Sequence, residues 1–129
     1  MIVEFPSARK PVEFVGSCRS ALRRLPKHVR AVFGYAILVA QTGEKHEDAK
    51  PLKGFGSASV LEVVEDYDKS TYRAVYTVKF ESVVYVLHAF QKKSKKGKTT
   101  PKADMDLIKQ RLKIAEQHYQ EHYRTKITA

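Results

Sequence analysis

The stretch YRAVYTVKFESVVYVLHAFQKKSKKGK, residues 72–98, joins the most strand-like residues of the chain to its densest run of positive charge. In residues 72–80, every second side chain is apolar, which is the period-2 pattern of a strand with one buried face. Residues 83–90 are almost all apolar, β-branched or aromatic, and they predict a second, more central strand. We therefore expect an antiparallel pair with Glu81 and Ser82 as a two-residue loop.

This hairpin determines which residues lie opposite each other. Counting back from the loop pairs Val75 with His88, and it pairs Arg73 with Phe90. Arg73 and His88 are then expected on one face, and the chain leaves that face through KKSKKGK at residues 92–98. An arginine, a histidine and several lysines at one end of a hairpin form a site that attracts phosphate groups.

Composition limits the partners and the compartment. A length of 129 residues predicts a single domain, residues 1–129. The 24 Lys and Arg against 14 Asp and Glu give a formal charge of +10, which favours a polyanion such as nucleic acid, or an acidic protein. Cys18 is the only cysteine, so no intrachain disulfide is possible. With no apolar leader and no run of about 18 apolar residues, we expect a soluble, cytoplasmic protein.

Two helices are predicted before these strands. Residues 12–25 carry apolar side chains at helical spacing, and Pro26 ends that helix. A second apolar stripe follows and stops at Gly43. We expect the two helices to form a hairpin that covers one face of the sheet, a structural role rather than a catalytic one. Residues 2–5 predict a short edge strand.

The remaining segments complete the predicted fold. Residues 51–59, PLKGFGSAS, predict a loop without a nucleotide-binding pattern. Residues 60–64 predict a strand and residues 65–70 a charged turn, which gives a three-stranded meander. Thr100 predicts the N-cap of a terminal amphipathic helix that ends near Tyr123 and packs either on the sheet or on a partner. The predicted class is α+β, with an N-terminal helical hairpin packed on a small antiparallel sheet and a C-terminal helix.

The sequence HYQEH, residues 118–122, fits the H-x-x-E-H pattern of one zinc protease class. That class needs a further metal ligand well downstream. We therefore interpret these residues as an exposed helix face, and we expect neither a metal ion nor another cofactor.

Four segments together resemble one protein family. They are PLKG at 51–54, LEVVED at 61–66, YRAVY at 72–76 and VYVLHAFQKKSKKGKTTP at 84–101. Their order and spacing are similar to those of the HigB-like, phage-associated branch of the RelE/ParE toxin superfamily, and the last segment is the most specific. The resemblance implies a RelE-like fold and the toxin of a type II toxin–antitoxin pair. Such a toxin is an endoribonuclease that cleaves mRNA on the ribosome by metal-independent attack of a 2′-hydroxyl. The implied partners are mRNA on the ribosome and a cognate antitoxin with a helix-turn-helix DNA-binding fold.

The resemblance also implies roles for single residues. Arg73, expected on an open face of the sheet, matches the arginine of the YR-x-VY motif and would hold two phosphate oxygens. His88 would be the acid or the base because it titrates near neutral pH, and Lys93 would contact the phosphate or the leaving group. Phe90 would stack on an RNA base. Five lysines would bind RNA: Lys53, Lys92, Lys95, Lys96 and Lys98.

One part of the mechanism stays open. Some RelE-like nucleases carry lysines on the strand before Arg73, whereas this chain has Glu62, Glu65 and Asp66 there. Either His88 or one of these carboxylates is then the base, or the activity is weaker. Two other functions also remain: a ParE-like toxin that inhibits DNA gyrase without chemistry, and a basic nucleic-acid-binding module. A pure binder does not need an arginine, a histidine and a lysine cluster to converge, and this favours the nuclease.

Overall fold

The computed structural model describes residues 9–57, 59–92 and 100–124. These residues form five strands and three helices, in the order β1 (Val12–Phe14), α1 (Cys18–Arg23), α2 (Lys27–Gln41), β2 (Lys50–Pro51), β3 (Val60–Tyr67), β4 (Ser70–Thr77), β5 (Val84–Lys92) and α3 (Lys102–His122). The edge strand predicted for residues 2–5 lies outside the described residues. Within the described part of the chain, no helix combines the length and the apolar character that crossing a membrane requires.

The strands form one mixed sheet in the order β1-β5-β4-β3-β2. β3, β4 and β5 are the predicted antiparallel meander. β2 extends the sheet antiparallel to β3, and β1 extends the other edge parallel to β5. The predicted α+β class and the packing of helices on a small sheet are confirmed.

Helices cover both faces of the sheet. On one face, Phe33 of α2 lies in the same buried cluster as Tyr76 of β4. On the other face, Ile108 of α3 lies in a second cluster with Val75 and Leu87. Successive residues of a strand point to opposite faces, so residues 72–77 of β4 are all buried. The expectation of one buried and one open face is therefore wrong for this strand.

The β4–β5 hairpin has the predicted register where it matters for the site. Arg73 pairs with Phe90, and Val75 pairs with His88. Both pairs agree with the count from the predicted loop.

The loop of the same hairpin is longer than predicted. Tyr76 pairs with Val86, which leaves Leu87 as the extra residue of a β-bulge. β4 then ends at Thr77 and β5 begins at Val84, so the predicted two-residue loop is wrong. Because of the bulge, the side chains of Leu87 and His88 both face α3.

The β3–β4 connection differs in the opposite sense, because it is tighter than predicted. β3 continues to Tyr67, and the turn consists of Asp68 and Lys69, whose φ values are 51° and 65°. Two consecutive residues with positive φ are typical of a type I′ turn, whose twist matches that of the flanking strands. Glu65, Asp66 and Tyr67 therefore lie in β3 and not in a turn.

The first predicted helix is largely a different structure. Of residues 12–25, only Cys18–Arg23 are helical, and Val12–Phe14 pair with β5 as a strand. Gly16 separates the two with a φ of +60°, and a Cβ there would meet the Arg111 guanidinium at 3.2 Å. A strand of three residues is too short to show a period-2 pattern in the sequence. The apolar residues on either side of Gly16 recur at helical spacing, and for this reason the sequence predicts one helix.

Candidate active site beneath the first turn of helix α3

Five of the residues that matter here lie on one face of the sheet. Glu62, Val75 and His88 lie side by side in one row, on β3, β4 and β5, and Arg73 pairs with Phe90 two residues away along the strands. Neighbouring strands are about 4.8 Å apart, so the backbones of Glu62 and His88 are separated by roughly 10 Å, with Val75 between them. A carboxylate, a guanidinium and an imidazole therefore lie close together on one face of the sheet.

Arg73 forms a buried ion pair with Glu62. Its Nη1 donates to Glu62 Oε2 at 2.8 Å and to Thr100 Oγ1 at 3.2 Å. Arg73 is only 4% exposed, and Thr100 lies against it on this face. The expectation of an arginine on an open face is therefore wrong, although its predicted position beside His88 in the sheet is correct.

Thr100 contributes its hydroxyl to this pair. Its Oγ1 donates to Glu62 Oε2 at 3.0 Å and accepts from Arg73. The N-cap of α3 is Pro101, and no side chain caps the helix by a hydrogen bond. The predicted N-cap role of Thr100 is wrong because Glu62 and Arg73 take up its hydroxyl.

His88 is held from two sides. Its Nε2 donates to Asp104 Oδ1 of α3 at 2.8 Å, since a carboxylate oxygen can only accept. Its ring stacks on Phe90 with centroids 4.3 Å apart. Nδ1 is buried and has no hydrogen-bond partner among the described residues. The imidazole is therefore fixed in one orientation, with a lone pair on Nδ1 when the ring is neutral.

The charge of His88 follows from its surroundings. Burial lowers the pKa of His88 below its usual 6.5. The Asp104 carboxylate opposes this shift through its hydrogen bond and its charge, and Arg111 adds to it. Burial has the larger effect, so the imidazole is neutral at pH 7 while α3 covers it.

The structure separates the three carboxylates that the sequence leaves as alternative bases. Glu65 pairs with His28 of α2 at 2.8 Å, and Asp66 accepts from the Thr71 hydroxyl at 2.7 Å. Both therefore have partners outside the row that contains His88. Glu62 alone of the three lies beside Arg73, and the register that pairs it with Val75 is the signal that identifies it.

The predicted lysines fall into three groups. Lys92 ends β5 two residues after Phe90, so it faces the same side of the sheet, and it is 8% exposed. Lys53 is exposed in the loop after β2, next to Gly54, where an added Cβ would lie 3.0 Å from the Met105 side chain of α3. The third group lies outside the described residues: Lys93, Lys95, Lys96 and Lys98.

The histidines of the H-x-x-E-H segment lie elsewhere. His118 Nδ1 hydrogen-bonds the Tyr85 hydroxyl at 2.7 Å, and the His118 and His122 rings are 4.3 Å apart. These residues belong to the C-terminal half of α3, away from Asp104. Within residues 9–57, 59–92 and 100–124, no group of three or more His, Cys, Asp or Glu side chains is arranged to hold a metal ion.

The fold and one family model relate this chain to known proteins. Residues 20–113 match the family described as phage-derived protein Gp49-like (DUF891). A double mutant of the E. coli toxin RelE in the free state superposes with a TM-score of 0.53 at 18% identity, over 83% of this chain and 98% of that one. The toxin–antitoxin complex RelBE2 from Mycobacterium tuberculosis gives a TM-score of 0.46 at 20% identity, over 68% and 97%.

No curated protein sequence is significantly similar to this chain. The likeness to the E. coli toxin therefore concerns the fold, whereas the family match rests on sequence and spans well over half of the chain. The protein belongs to the phage-derived Gp49-like family, and it has the fold of the RelE-type toxins.

Proposed function

We propose that this protein is the toxin of a type II toxin–antitoxin pair and that it cleaves mRNA on the ribosome by 2′-hydroxyl attack. The observation that carries the proposal is the convergence of Glu62, Arg73 and His88 on one face of the sheet. These residues can act as a base, a phosphate-binding cation and an imidazole acid, which are the three parts that internal transesterification of RNA requires.

In the proposed reaction, the Glu62 carboxylate accepts the proton of the 2′-hydroxyl. The 2′-oxygen forms a bond to phosphorus, and the bond between phosphorus and the 5′-oxygen breaks. His88 then gives a proton to the departing 5′-oxygen. The products are a 2′,3′-cyclic phosphate and a 5′-hydroxyl, and this step consumes no water. Water later opens the cyclic phosphate to a 3′-phosphate.

Arg73 would stabilise the charge that develops on the phosphate. Its guanidinium presents several donors in a rigid fork and can contact two oxygens at once. Its pairing with Glu62 also holds the carboxylate in place. Lys92 lies on the same side of the sheet and adds positive charge, and Lys93 is proposed as the contact to the leaving group.

The protonation of His88 depends on the substrate. In the covered site the imidazole is neutral, because burial lowers its pKa. A phosphodiester bound beside the ring brings a negative charge, which raises the pKa of His88 again. His88 would therefore take up a proton once RNA is bound, and it could then serve as the acid.

RNA binding would extend beyond these groups. Phe90 stacks on His88 at the edge of the α3-side cluster, so it is positioned to contact a base once RNA enters. Lys53 and the lysines of residues 92–98 would contact phosphates, and the formal charge of +10 would attract ribosomal RNA and mRNA at low salt. The same charge favours an antitoxin with an acidic contact surface. Its helix-turn-helix fold and the placement in the HigB-like branch remain predictions from the sequence resemblance.

The proposal is tested by the chemistry of the products. We expect cleavage of ribosome-bound mRNA to continue in EDTA, with ribosomes assembled beforehand and kept intact at low free magnesium. The new ends should be a 2′,3′-cyclic phosphate or 3′-phosphate and a 5′-hydroxyl, because a side-chain base and acid need no metal. A kinase and phosphatase assay on the fragments distinguishes these ends. Fragments with a 3′-hydroxyl and a 5′-phosphate would refute the mechanism. Intact RNA together with inhibited gyrase would favour the ParE-like alternative.

A further inference from the structure

The turn that leads into α3 occupies the candidate active site. We propose that residues 100–104 imitate the RNA substrate and keep the site closed until this turn is displaced, an inference that rests on the proposed function. Two polar groups of the turn, the Thr100 hydroxyl and the Asp104 carboxylate, contact the proposed base, cation and acid. These are Glu62, Arg73 and His88.

The Thr100 hydroxyl takes the position that a 2′-hydroxyl would need. It donates to Glu62 Oε2 at 3.0 Å, as an attacking hydroxyl must do with its base. It also accepts from Arg73 Nη1 at 3.2 Å, as an oxygen that is bonding to a phosphate would do. A hydroxyl between a carboxylate and a guanidinium therefore marks the subsite for the nucleophile.

The Asp104 carboxylate takes the position of the leaving group. Its Oδ1 accepts from His88 Nε2 at 2.8 Å, which is the contact that the 5′-oxygen, or a phosphate oxygen beside it, would make with the acid. His88 and Asp104 are 11% and 27% exposed, so this contact is partly shielded from water. An anionic oxygen already fills the second subsite, and RNA must replace it.

The turn can leave without disrupting the core. The first buried residue of α3 is Ile108. One turn further, Arg111 holds the helix by donating to the Leu87 carbonyl at 2.9 Å and to Ser17 Oγ at 3.2 Å. The residues of α3 before Ile108 are exposed or half-buried. Residues 100–104 are therefore held by the polar contacts of Thr100 and Asp104, whereas apolar packing from Met105 onward and Arg111 hold the rest of α3.

The substrate class follows from the two subsites. A ligand that displaces the turn must present a hydroxyl to Glu62 and Arg73, and an anionic oxygen to His88. RNA carries a 2′-hydroxyl next to each phosphodiester, whereas DNA lacks this hydroxyl and cannot replace Thr100. We therefore expect RNA, and not DNA of the same sequence, to open the site.

The test combines Thr100→Val with Asp104→Ala, which removes both contacts. The matched control is Asp106→Ala, since Asp106 lies two residues beyond this turn and pairs with the exposed Lys102 at 3.1 Å. Circular dichroism checks that both variants keep the helix. The first readout is modification of His88 by diethyl pyrocarbonate at pH 7, mapped by mass spectrometry. The second readout is the rate at which ribosome-bound mRNA is cleaved.

We expect the double variant to react with diethyl pyrocarbonate and to cleave mRNA about tenfold faster or more, because three hydrogen bonds that involve charged groups or His88 are lost. The Asp106→Ala control should resemble the wild type in both readouts. Unchanged reactivity and unchanged cleavage would overturn the proposal, and so would slower cleavage, since Thr100 and Asp104 would then assist the reaction. Faster modification of His88 with no cleavage by any variant would support closure of the site and refute the ribonuclease assignment.

Discussion

Replacing Arg73 with alanine is expected to lower the free energy of unfolding by about 3–5 kcal/mol and the rate of RNA cleavage by about a hundredfold or more. Glu62 would lose its charged partner and, among the described residues, keep only the Thr100 hydroxyl, in a site where its side chain is only 14% exposed, and a largely buried carboxylate without a cation is costly. The loss in rate has a separate cause, because no cation would then face the phosphate in the transition state.

The two effects of Arg73→Ala can be separated with a second variant. Combining it with Glu62→Gln removes both charges, so urea unfolding should show that much of the lost stability returns. Cleavage should stay low in both variants, because one lacks the cation and the other also lacks the base. A single variant as stable as the wild type would contradict the buried pair. Undiminished cleavage by a folded Arg73→Ala variant would remove Arg73 from the mechanism.

Replacing His88 with glutamine is expected to lower the cleavage rate by about 10²–10⁴-fold, because the amide cannot transfer a proton. The glutamine amide can still donate to Asp104, and the ring it replaces is neutral at pH 7, so the fold should be retained. The matched control is His118→Gln, since His118 bonds Tyr85 in the other half of α3. That control should cleave at the wild-type rate, and a loss of activity equal to that of His88→Gln would contradict the assignment.

The same variant should change how stability depends on pH. The pKa of His88 is lower in the folded protein than the usual 6.5, so the unfolded chain binds a proton more readily. The stability contributed by neutral His88 is therefore complete above about pH 6.5 and is lost as the pH falls through the folded pKa. Urea unfolding between pH 5 and 7 should show a shallower loss of stability for His88→Gln than for the wild type. Equal slopes would mean that His88 is not buried in solution.

The sequence predicts the site where local rules apply. Strand periodicity and counting from the loop pair Arg73 with Phe90 and place His88 on the same side, and the structure confirms both. These predictions succeed because side chains alternate along each strand segment and because the β-bulge at Leu87 shifts the register to the one that the count assumed. The turn predicted at residues 65–70 does not place Glu62 opposite Val75, because that pairing requires the tighter turn at Asp68 and Lys69.

What the sequence could not predict depends on tertiary packing. Its local patterns do not decide whether the terminal helix covers the sheet or a partner, and this determines whether Arg73 is exposed or buried. The β-bulge at Leu87 lets two consecutive residues face α3, a requirement that no local pattern records. Likewise, Thr100 fits an N-cap in sequence, and only the fold shows its hydroxyl between Glu62 and Arg73.

The central claim, attack by a 2′-hydroxyl, is tested most directly with an mRNA that carries a single 2′-deoxynucleotide at the cleaved position. The wild-type protein first maps that position on translating ribosomes, and the substituted and unsubstituted messages are then compared at equal ribosome occupancy. The account predicts that cleavage disappears at the substituted position and persists at other sites in the same message, because the nucleophile is missing there only. Cleavage at the 2′-deoxy position at an undiminished rate would contradict the proposed chemistry of Glu62, Arg73 and His88.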